Sequence, residues 1–249
     1  EEPNDSIFFS DILKTVSDFH KMIPAWEESR CTLCGICVNS CKYHAVIQFG
    51  DIIEVFGELC HSCHACSELC PENALPMQPH KNGEIKTVIS GNLTLVEGRL
   101  EVGEEQAVPL IHHIHELVND QYNAFSLQIF DSPPGTSCPV VAAVKDADVV
   151  ILVTEPTPFG AHDLKLAVKT IRVLGKPMGV VINRFGIGNK EVELFCTQEH
   201  LPLVATIPFS RQIAESYSRG ELVYEQGKEV ETALRLIMEN LDKTVMKNG

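Results

Sequence analysis

The hydrophobic pattern of the chain divides it into two regions. From residue 107 onwards, continuous apolar runs alternate with segments in which apolar residues recur every three or four positions. The runs predict buried strands, and the spaced segments predict helices. The predicted strands are Leu127–Phe130, Val149–Thr154, Gly179–Ile182 and Leu203–Ile207. The predicted helices are Ala107–Val118, Val140–Lys145, Asp163–Leu174, Val192–Glu199 and Glu229–Met246. This alternation is typical of an α/β fold with a parallel sheet covered by helices.

The first hundred residues have a weaker pattern. Ala45–Phe49 and Ile52–Phe56 flank Gly50 and Asp51, which predicts a small hairpin. Residues 84–102 alternate loosely between apolar and polar and predict short strands. Residues 1–30 contain one short apolar stretch and then an irregular segment through Pro24 and Trp26.

Polar or rigid turns follow the four predicted parallel strands. They are Asp131-Ser-Pro-Pro-Gly135, Thr154-Glu-Pro-Thr157, Asn183-Arg184 and Pro208-Phe209. Because ligands of open α/β sheets bind at the carboxyl ends of the strands, these turns predict a ligand site along one edge of the sheet.

Composition narrows the possible partners. The 249 residues include 34 acidic and 20 basic side chains, for a formal net charge of −14. This balance argues against binding to nucleic acid or to anionic membranes. No apolar run approaches the length that suggests a membrane span, and no signal peptide is recognisable. We therefore expect no nucleic acid partner, no membrane insertion and a cytoplasmic location.

Eight of the ten cysteines form two copies of the spacing C-x2-C-x2-C-x3-C. The first copy begins at Cys31 and the second at Cys60, and Pro71 follows the last cysteine of the second copy. This is the ligand pattern of ferredoxins with two 4Fe-4S clusters, in which the fourth cysteine of each run binds the other cluster. The predicted ligand sets are Cys31, Cys34, Cys37 and Cys70 for cluster 1, and Cys60, Cys63, Cys66 and Cys41 for cluster 2.

Other uses of these cysteines fit the spacing less well. Zinc sites need only C-x2-C pairs, and disulfides are typical of secreted chains. In the first run Lys42 stands where the second run has Pro71, a difference that can affect the potential or rigidity of that loop. Of the remaining two cysteines, we expect Cys138 to be a small buried residue at a helix start and Cys196 to pack in the core.

Several motifs resemble those of MinD-type P-loop ATPases. The segment Asp131–Gly135 resembles the Walker B and switch II segment, Asn183-Arg184 the adenine-contacting turn, and Pro208-Phe209 the second loop beside the base. The resemblance implies that Asp131 holds the water shell of Mg²⁺ and that the Gly135 N–H senses the γ-phosphate of ATP.

Together with the cysteine runs, these motifs are similar to those of MinD-superfamily ATPases that carry an inserted two-cluster ferredoxin domain. The resemblance implies a P-loop-type α/β fold with an inserted α+β ferredoxin-like domain. It divides the chain into an ATPase remnant at 1–28, the ferredoxin insert at 29–80 and the remaining ATPase domain at 81–249.

The phosphate-binding loop of that family does not occur in the sequence. No G-x4-G-K followed by Ser or Thr is present, and Gly98–Gly103 has the glycine spacing but continues into Glu104 and Glu105, which would repel phosphate. The chain also begins at Glu1 rather than Met. We expect that about 35 residues, one strand–helix–strand unit, precede this chain, or that another polypeptide supplies them. On either reading the chain alone should neither bind nor hydrolyse ATP well.

Three functions are consistent with this sequence. The leading hypothesis is an iron–sulfur protein that couples ATP binding or hydrolysis to electron transfer toward a redox partner protein, with a possible homodimer. The second is a carrier or assembly scaffold for iron–sulfur clusters. The third is a plain electron-transfer subunit in which the α/β part serves for docking.

Overall fold

The computed structural model describes residues 5–8, 13–225 and 227–248. The chain forms two compact units, Glu1–Ile129 and Phe130–Gly249. Each unit has its own hydrophobic core. The predicted division at residues 28 and 80 stays a prediction.

The first unit contains an antiparallel sheet of three strands. β1 (Leu13–Pro24) pairs along its full length with β4 (Met77–Ser90), which also pairs with β5 (Leu93–Leu100). Helix α3 (Val108–Gln121) covers this sheet, and Leu110 of the helix packs against residues of β1 and β4. The strands expected between residues 84 and 102 are therefore present. The long strand β1 was not predicted, because half of its side chains are polar.

The segment between β1 and β4 forms a small α+β subdomain. Its hairpin consists of β2 (Val46–Phe49) and β3 (Ile52–Val55), as the sequence predicted. Two single-turn helices, α1 (Ile36–Ser40) and α2 (Ala65–Glu68), each begin inside one cysteine run. The hairpin packs on the cysteine loops through Val46 and Ile53.

The subdomain repeats its backbone with the same offset as the two cysteine runs. Two short 3-10 helices, Glu28–Arg30 and Gly57–Leu59, precede the two runs at equivalent positions. Glu27 N donates to Ala74 O over 2.9 Å, and the equivalent Phe56 N donates to Ala45 O over 2.8 Å. Each half thus donates a matching hydrogen bond to the other, which joins the two halves in one symmetric unit.

The second unit is built on a parallel sheet with the order β6-β7-β8. This confirms the α/β class. The strands are β6 (Val150–Thr154), β7 (Met178–Phe185) and β8 (Leu203–Pro208). The helices are α4 (Cys138–Val144), α5 (Pro158–Val173), α6 (Glu191–Gln198), α7 (Arg211–Ser218) and α8 (Lys228–Asn248). The fully buried residues Val180 and Ile182 of β7 pack with Ala161, Val168 and Val192 of the flanking helices.

Two expectations for the second half of the chain were wrong. Leu127–Phe130 is not a strand, and it belongs to none of the three sheets formed by the residues that the structure describes. Leu127 is 47% exposed and Ile129 is 83% exposed, because a four-residue apolar run becomes a buried strand only where a neighbouring strand pairs with it. Cys138 begins α4 but is exposed, whereas Cys196 is buried in the core as expected.

Within the parts of the chain that the structure describes, none of the helices combines the length and apolarity that a membrane crossing requires.

Candidate metal centre

Each predicted set of four cysteines lines one cavity of the first unit. One cavity is lined by Cys41, Cys60, Cys63 and Cys66 together with Tyr43, His61 and His64. The other is lined by Cys31, Cys34, Cys37 and Cys70 together with Leu33 and Ile53. In both cavities three cysteines come from one run and the fourth comes from the other. The cavities have similar empty volumes, about 350 and 340 Å³ including the part open to solvent.

The loops that present the cysteines use left-handed backbone conformations at matching places. Leu33 and Ser62 have φ values of 55° and 53°, and Gly35 and His64 have 75° and 62°. The members of each pair occupy equivalent positions in the two halves of the repeat. A left-handed residue reverses the loop direction, so that successive backbone N–H groups turn toward one concave side. Such a concavity suits an anionic group such as a thiolate-ligated cluster.

Burial distinguishes the sulfurs within each run. Cys37 and Cys66 occupy equivalent buried positions, while Cys34 and Cys63 are exposed. Burial raises the pKa of the Cys66 thiol to about 11, and it also raises the pKa of Cys37. These thiols would therefore be protonated in the absence of a metal, and cluster binding would release protons.

The donor set fits a 4Fe-4S cluster. Leu33 N donates to Cys31 Sγ over 3.4 Å, and Ala74 N donates to Cys70 Sγ over 3.3 Å, so backbone N–H groups already point at two of the sulfurs. Among the described residues, no three His, Cys, Asp or Glu side chains converge closely enough to hold a single metal ion. A cubane spreads its four thiolates over four iron atoms and does not need that convergence.

Trp26 adds an unused donor beside the cysteines. Its ring packs against the core that contains Cys37, and Cys31 packs against the same core. The indole Nε1 is buried, and no hydrogen-bond partner for it exists among the described residues. A buried N–H without a partner is costly, and a cluster sulfur would be an acceptor for it. In the sequence, Trp26 lies in a segment predicted only to be irregular, and no local pattern marks its N–H as a donor.

A buried charged network lies beside the second cysteine run. The side chain of Lys21 is fully buried, and its Nζ donates to Glu104 Oε2 over 2.6 Å. Asn82 Nδ2 donates to the same oxygen over 2.9 Å, and His80 Nε2 lies 2.6 Å from Glu104 Oε1. The network was missed because its members are separated by up to 83 residues in sequence, and no local pattern marks a buried lysine.

His61 and Tyr43 form an aromatic stack at the rim of the first cavity. Their ring centroids are 3.5 Å apart and the rings are nearly parallel, at 12°. Burial lowers the pKa of His61, and the charge of Lys21 acts in the same direction. This keeps the imidazole neutral at pH 7.

The candidate nucleotide residues lie in the second unit. Asn183 and Arg184 are in β7 near its carboxyl end, where Arg184 has φ of 52° and its N–H donates to Asn183 Oδ1 over 2.9 Å. Arg184 Nη1 also pairs with Glu155 Oε1, at 3.2 Å, in the turn after β6. Pro208 ends β8 and is paired with Phe185. The structure thus brings turns of three strands to one edge of the sheet.

Asp131 and Gly135 lie in the irregular segment before α4. Both are exposed, and Gly135 has φ of 98° with no atom within 4 Å of the position of a Cβ atom. No described contact joins them to Asn183 or Arg184. Their assignment to a Mg²⁺ and phosphate site stays a prediction.

Comparison with known proteins gives matches for both parts of the chain. Residues 24–75 match the family described as a 4Fe-4S dicluster domain. The chain is 30% identical over 183 residues to the uncharacterized protein MJ0579 of Methanocaldococcus jannaschii, in an alignment that covers 74% of this chain and 63% of that protein. It is 34% identical over 59 residues to the pyruvate synthase subunit PorD of Thermotoga maritima, covering 23% of this chain and 60% of the subunit.

The fold has a solved counterpart. The cell division ATPase MinD of Pyrococcus furiosus superposes with a TM-score of 0.51 at 18% identity, covering 66% of this chain and 70% of that one. The chain is therefore an iron–sulfur protein that combines a 4Fe-4S dicluster domain with a MinD-like α/β fold. It spans about 63% of the length of MJ0579, the curated relative described above.

Proposed function

We propose that the chain is an electron-transfer protein that holds two 4Fe-4S clusters and passes electrons to a redox partner protein. The observation that supports this most is the pair of cavities, each lined by three cysteines of one run and the fourth cysteine of the other. When bound, such clusters supply one-electron transfer at low potential. The similarity to a subunit of pyruvate synthase also favours a redox partner.

The contribution of the protein to this function is to hold the two clusters in place. The two halves hold each other through the matching hydrogen bonds at Ala45 and Ala74, both nearly fully buried. Loss of one crossed cysteine would therefore loosen both loops. This arrangement suits clusters that stay in place while electrons pass.

Anaerobically purified protein tests the proposal. We expect about eight irons per chain, in line with two cubanes, and reversible reduction, followed by electron paramagnetic resonance, without loss of iron. Zinc in place of iron, or loss of iron on reduction, would contradict the proposal. The variant Cys196→Ala is a matched control, because that buried cysteine belongs to the core of the second unit.

The crossed ligation can be tested separately. In the background Cys31→Ala/Cys34→Ala only the second cluster should remain, with about four irons. Adding Cys41→Ala should then abolish the remaining cluster, whereas adding Cys70→Ala should leave it. The reverse result would show that each run binds its own cluster.

The finer proposal is that ATP binding or hydrolysis is coupled to this electron transfer. Asp131, Gly135, Asn183, Arg184 and Pro208 would line the nucleotide site, with Mg²⁺ beside Asp131. The MinD-like fold and the turns at the edge of the sheet support this. Because the sequence contains no phosphate-loop motif, we expect the chain alone to lack micromolar affinity for Mg-ATP in calorimetric titration. Micromolar binding would contradict that expectation.

A cluster carrier is the second candidate. The exposure of Cys34 and Cys63, one cysteine in each run, favours it because an exposed ligand is accessible to an acceptor protein. Incubation with a cluster-free ferredoxin separates the two functions. Transfer of iron to that acceptor favours the carrier, and retention during repeated reduction favours electron transfer.

A further inference from the structure

We propose that Lys21 is a tuning residue that raises the midpoint potential of the cluster held by Cys41, Cys60, Cys63 and Cys66 and leaves the other cluster unaffected. This inference rests on the proposed electron-transfer function. It assigns a role in the redox site to a side chain outside both cysteine runs.

The position of Lys21 in β1 directs its charge toward this cavity. Side chains at alternate positions lie on the same face of a strand, so Lys21 shares a face with Ile23. Ile23 packs with Cys60 in a small core. Between them, Met22 O accepts a hydrogen bond of 2.6 Å from Ser62 Oγ, which ties the loop after Cys60 to β1.

The positive charge of Lys21 acts on a cysteine of the second run. Burial raises the pKa of Cys60, and the positive charge of Lys21 opposes that effect. At Cys37, in the other set of cysteines, the neighbouring charges are the thiolates of Cys31 and Cys34, which act with burial. A cation beside one cluster favours its reduced, more negative form, so the two clusters should differ in potential.

Glu104 and its partners keep the ammonium group in place. The carboxylate accepts from both Lys21 and Asn82 and is 8% exposed, while His80 closes the network toward solvent with 35% of its side chain exposed. Glu104 also offsets part of the positive charge. Neutralising Lys21 and neutralising Glu104 should therefore shift the same potential in opposite directions.

Redox titration of iron-loaded protein, followed by electron paramagnetic resonance, tests the proposal. Lys21→Met should lower one of the two midpoint potentials by about 59 mV, which corresponds to a tenfold change in that cluster's reduction equilibrium. The other potential should stay in place. Glu104→Gln should raise the potential that Lys21→Met lowers.

A matched control is available in the same sheet. Lys81 follows His80 in β4, is 39% exposed and pairs with Asp18 and Glu101. Lys81→Met removes the same charge from the outer face and should move neither potential. Should Lys21→Met shift both potentials together, shift neither, or act no differently from Lys81→Met, the proposal is overturned.

The outcome is separable from that of the proposed function. Wild-type protein with about eight irons and reversible reduction establishes the function independently of Lys21. Only then is the difference between variants informative. If Glu104→Gln does not fold, the double variant Lys21→Met/Glu104→Gln replaces it. Its potential should lie above that of Lys21→Met, since both charges are gone, and an equal or lower value would count against the proposal.

Discussion

The buried pair Lys21–Glu104 gives a sharp prediction for stability. Its two charged atoms lie 2.6 Å apart, with the lysine side chain fully buried and the carboxylate 8% exposed. Removing one partner of such a pair leaves a buried charge without compensation, which typically costs about 3–5 kcal/mol. We expect Glu104→Gln to cost this much, because Lys21 would lose its only described carboxylate partner.

The network predicts a smaller cost for Lys21→Met. Glu104 would keep its hydrogen bonds from His80 and Asn82. The double variant should cost less than the sum of the two single changes, since it leaves no unpaired charge. The pair thus predicts both an order of variants and a coupling between them.

Urea denaturation of the iron-loaded protein under anaerobic conditions measures these costs. Cluster absorbance reports on the first unit, and with a typical slope of about 2 kcal/mol per molar urea, a loss of about 4 kcal/mol moves the midpoint by roughly 2 M. Lys81→Met is the control, because its partners Asp18 and Glu101 are exposed and exposed ion pairs contribute little to stability. Strictly additive single variants, or a Glu104→Gln midpoint equal to that of wild type, would refute the reasoning.

Acidification should remove the stability that the ionised Glu104 contributes. Burial alone would raise the pKa of Glu104, but hydrogen bonds from Lys21, His80 and Asn82 outweigh it and lower the pKa below its ordinary value of 4.5. The ionised carboxylate therefore stabilises the fold above that value, and this stability is lost as the pH falls through the lowered pKa. The difference in midpoint between wild type and Glu104→Gln should shrink over that range.

Three further predictions concern single residues. Gly188→Ala should lower the free energy of unfolding by at least about 2 kcal/mol in a thermal unfolding assay, because φ is 82° and a Cβ atom would overlap Pro156 O. The control Gly186→Ala is also left-handed but has open space around the Cβ position, so it should lower that free energy less. Equal losses for the two variants would contradict the overlap. Trp26→Phe should lower one midpoint potential by removing a buried N–H donor at the core that contains Cys37, and an unchanged potential would exclude a hydrogen bond from that donor to a cluster. His64→Gly should raise the free energy of unfolding by up to about 1 kcal/mol in the urea assay, because the φ of 62° at this position suits glycine. A lower free energy of unfolding would mean that the imidazole itself stabilises the loop.

The cysteine runs and the parallel sheet are features that local sequence can specify. Metal ligation demands fixed spacings within a tight loop, so the two runs predicted which cysteines share a cavity. Continuous apolar runs likewise predicted β6, β7 and β8, and in the central strand β7 the successive residues 179–182 are all buried, so both of its faces are covered.

The failures lie where distant parts of the chain decide the structure. β1 pairs with β4 across the whole cysteine subdomain, and its apolar residues do not alternate with polar ones, so the local pattern carries no strand signal there. Lys21 is buried only because a carboxylate 83 residues away satisfies it. Leu127–Phe130 carries the right residues for a strand but is part of no sheet in the described part of the chain. α7 has too few apolar residues for a helical stripe, and only Ser210 at its N-cap could have indicated it.

The internal repeat explains why the residues that tune the clusters should lie outside it. The two halves have the same cysteine spacing, matching left-handed residues and matching hydrogen bonds, so their backbones offer two clusters nearly the same environment. A difference in potential must then come from side chains that the symmetry does not repeat. At the offset that relates Cys31 to Cys60, the counterpart of Lys21 is Gly50, and that of Trp26 is Val55. Neither can supply a charge or an N–H from its side chain, so the cation of Lys21 and the indole N–H of Trp26 are two features that the symmetry does not repeat.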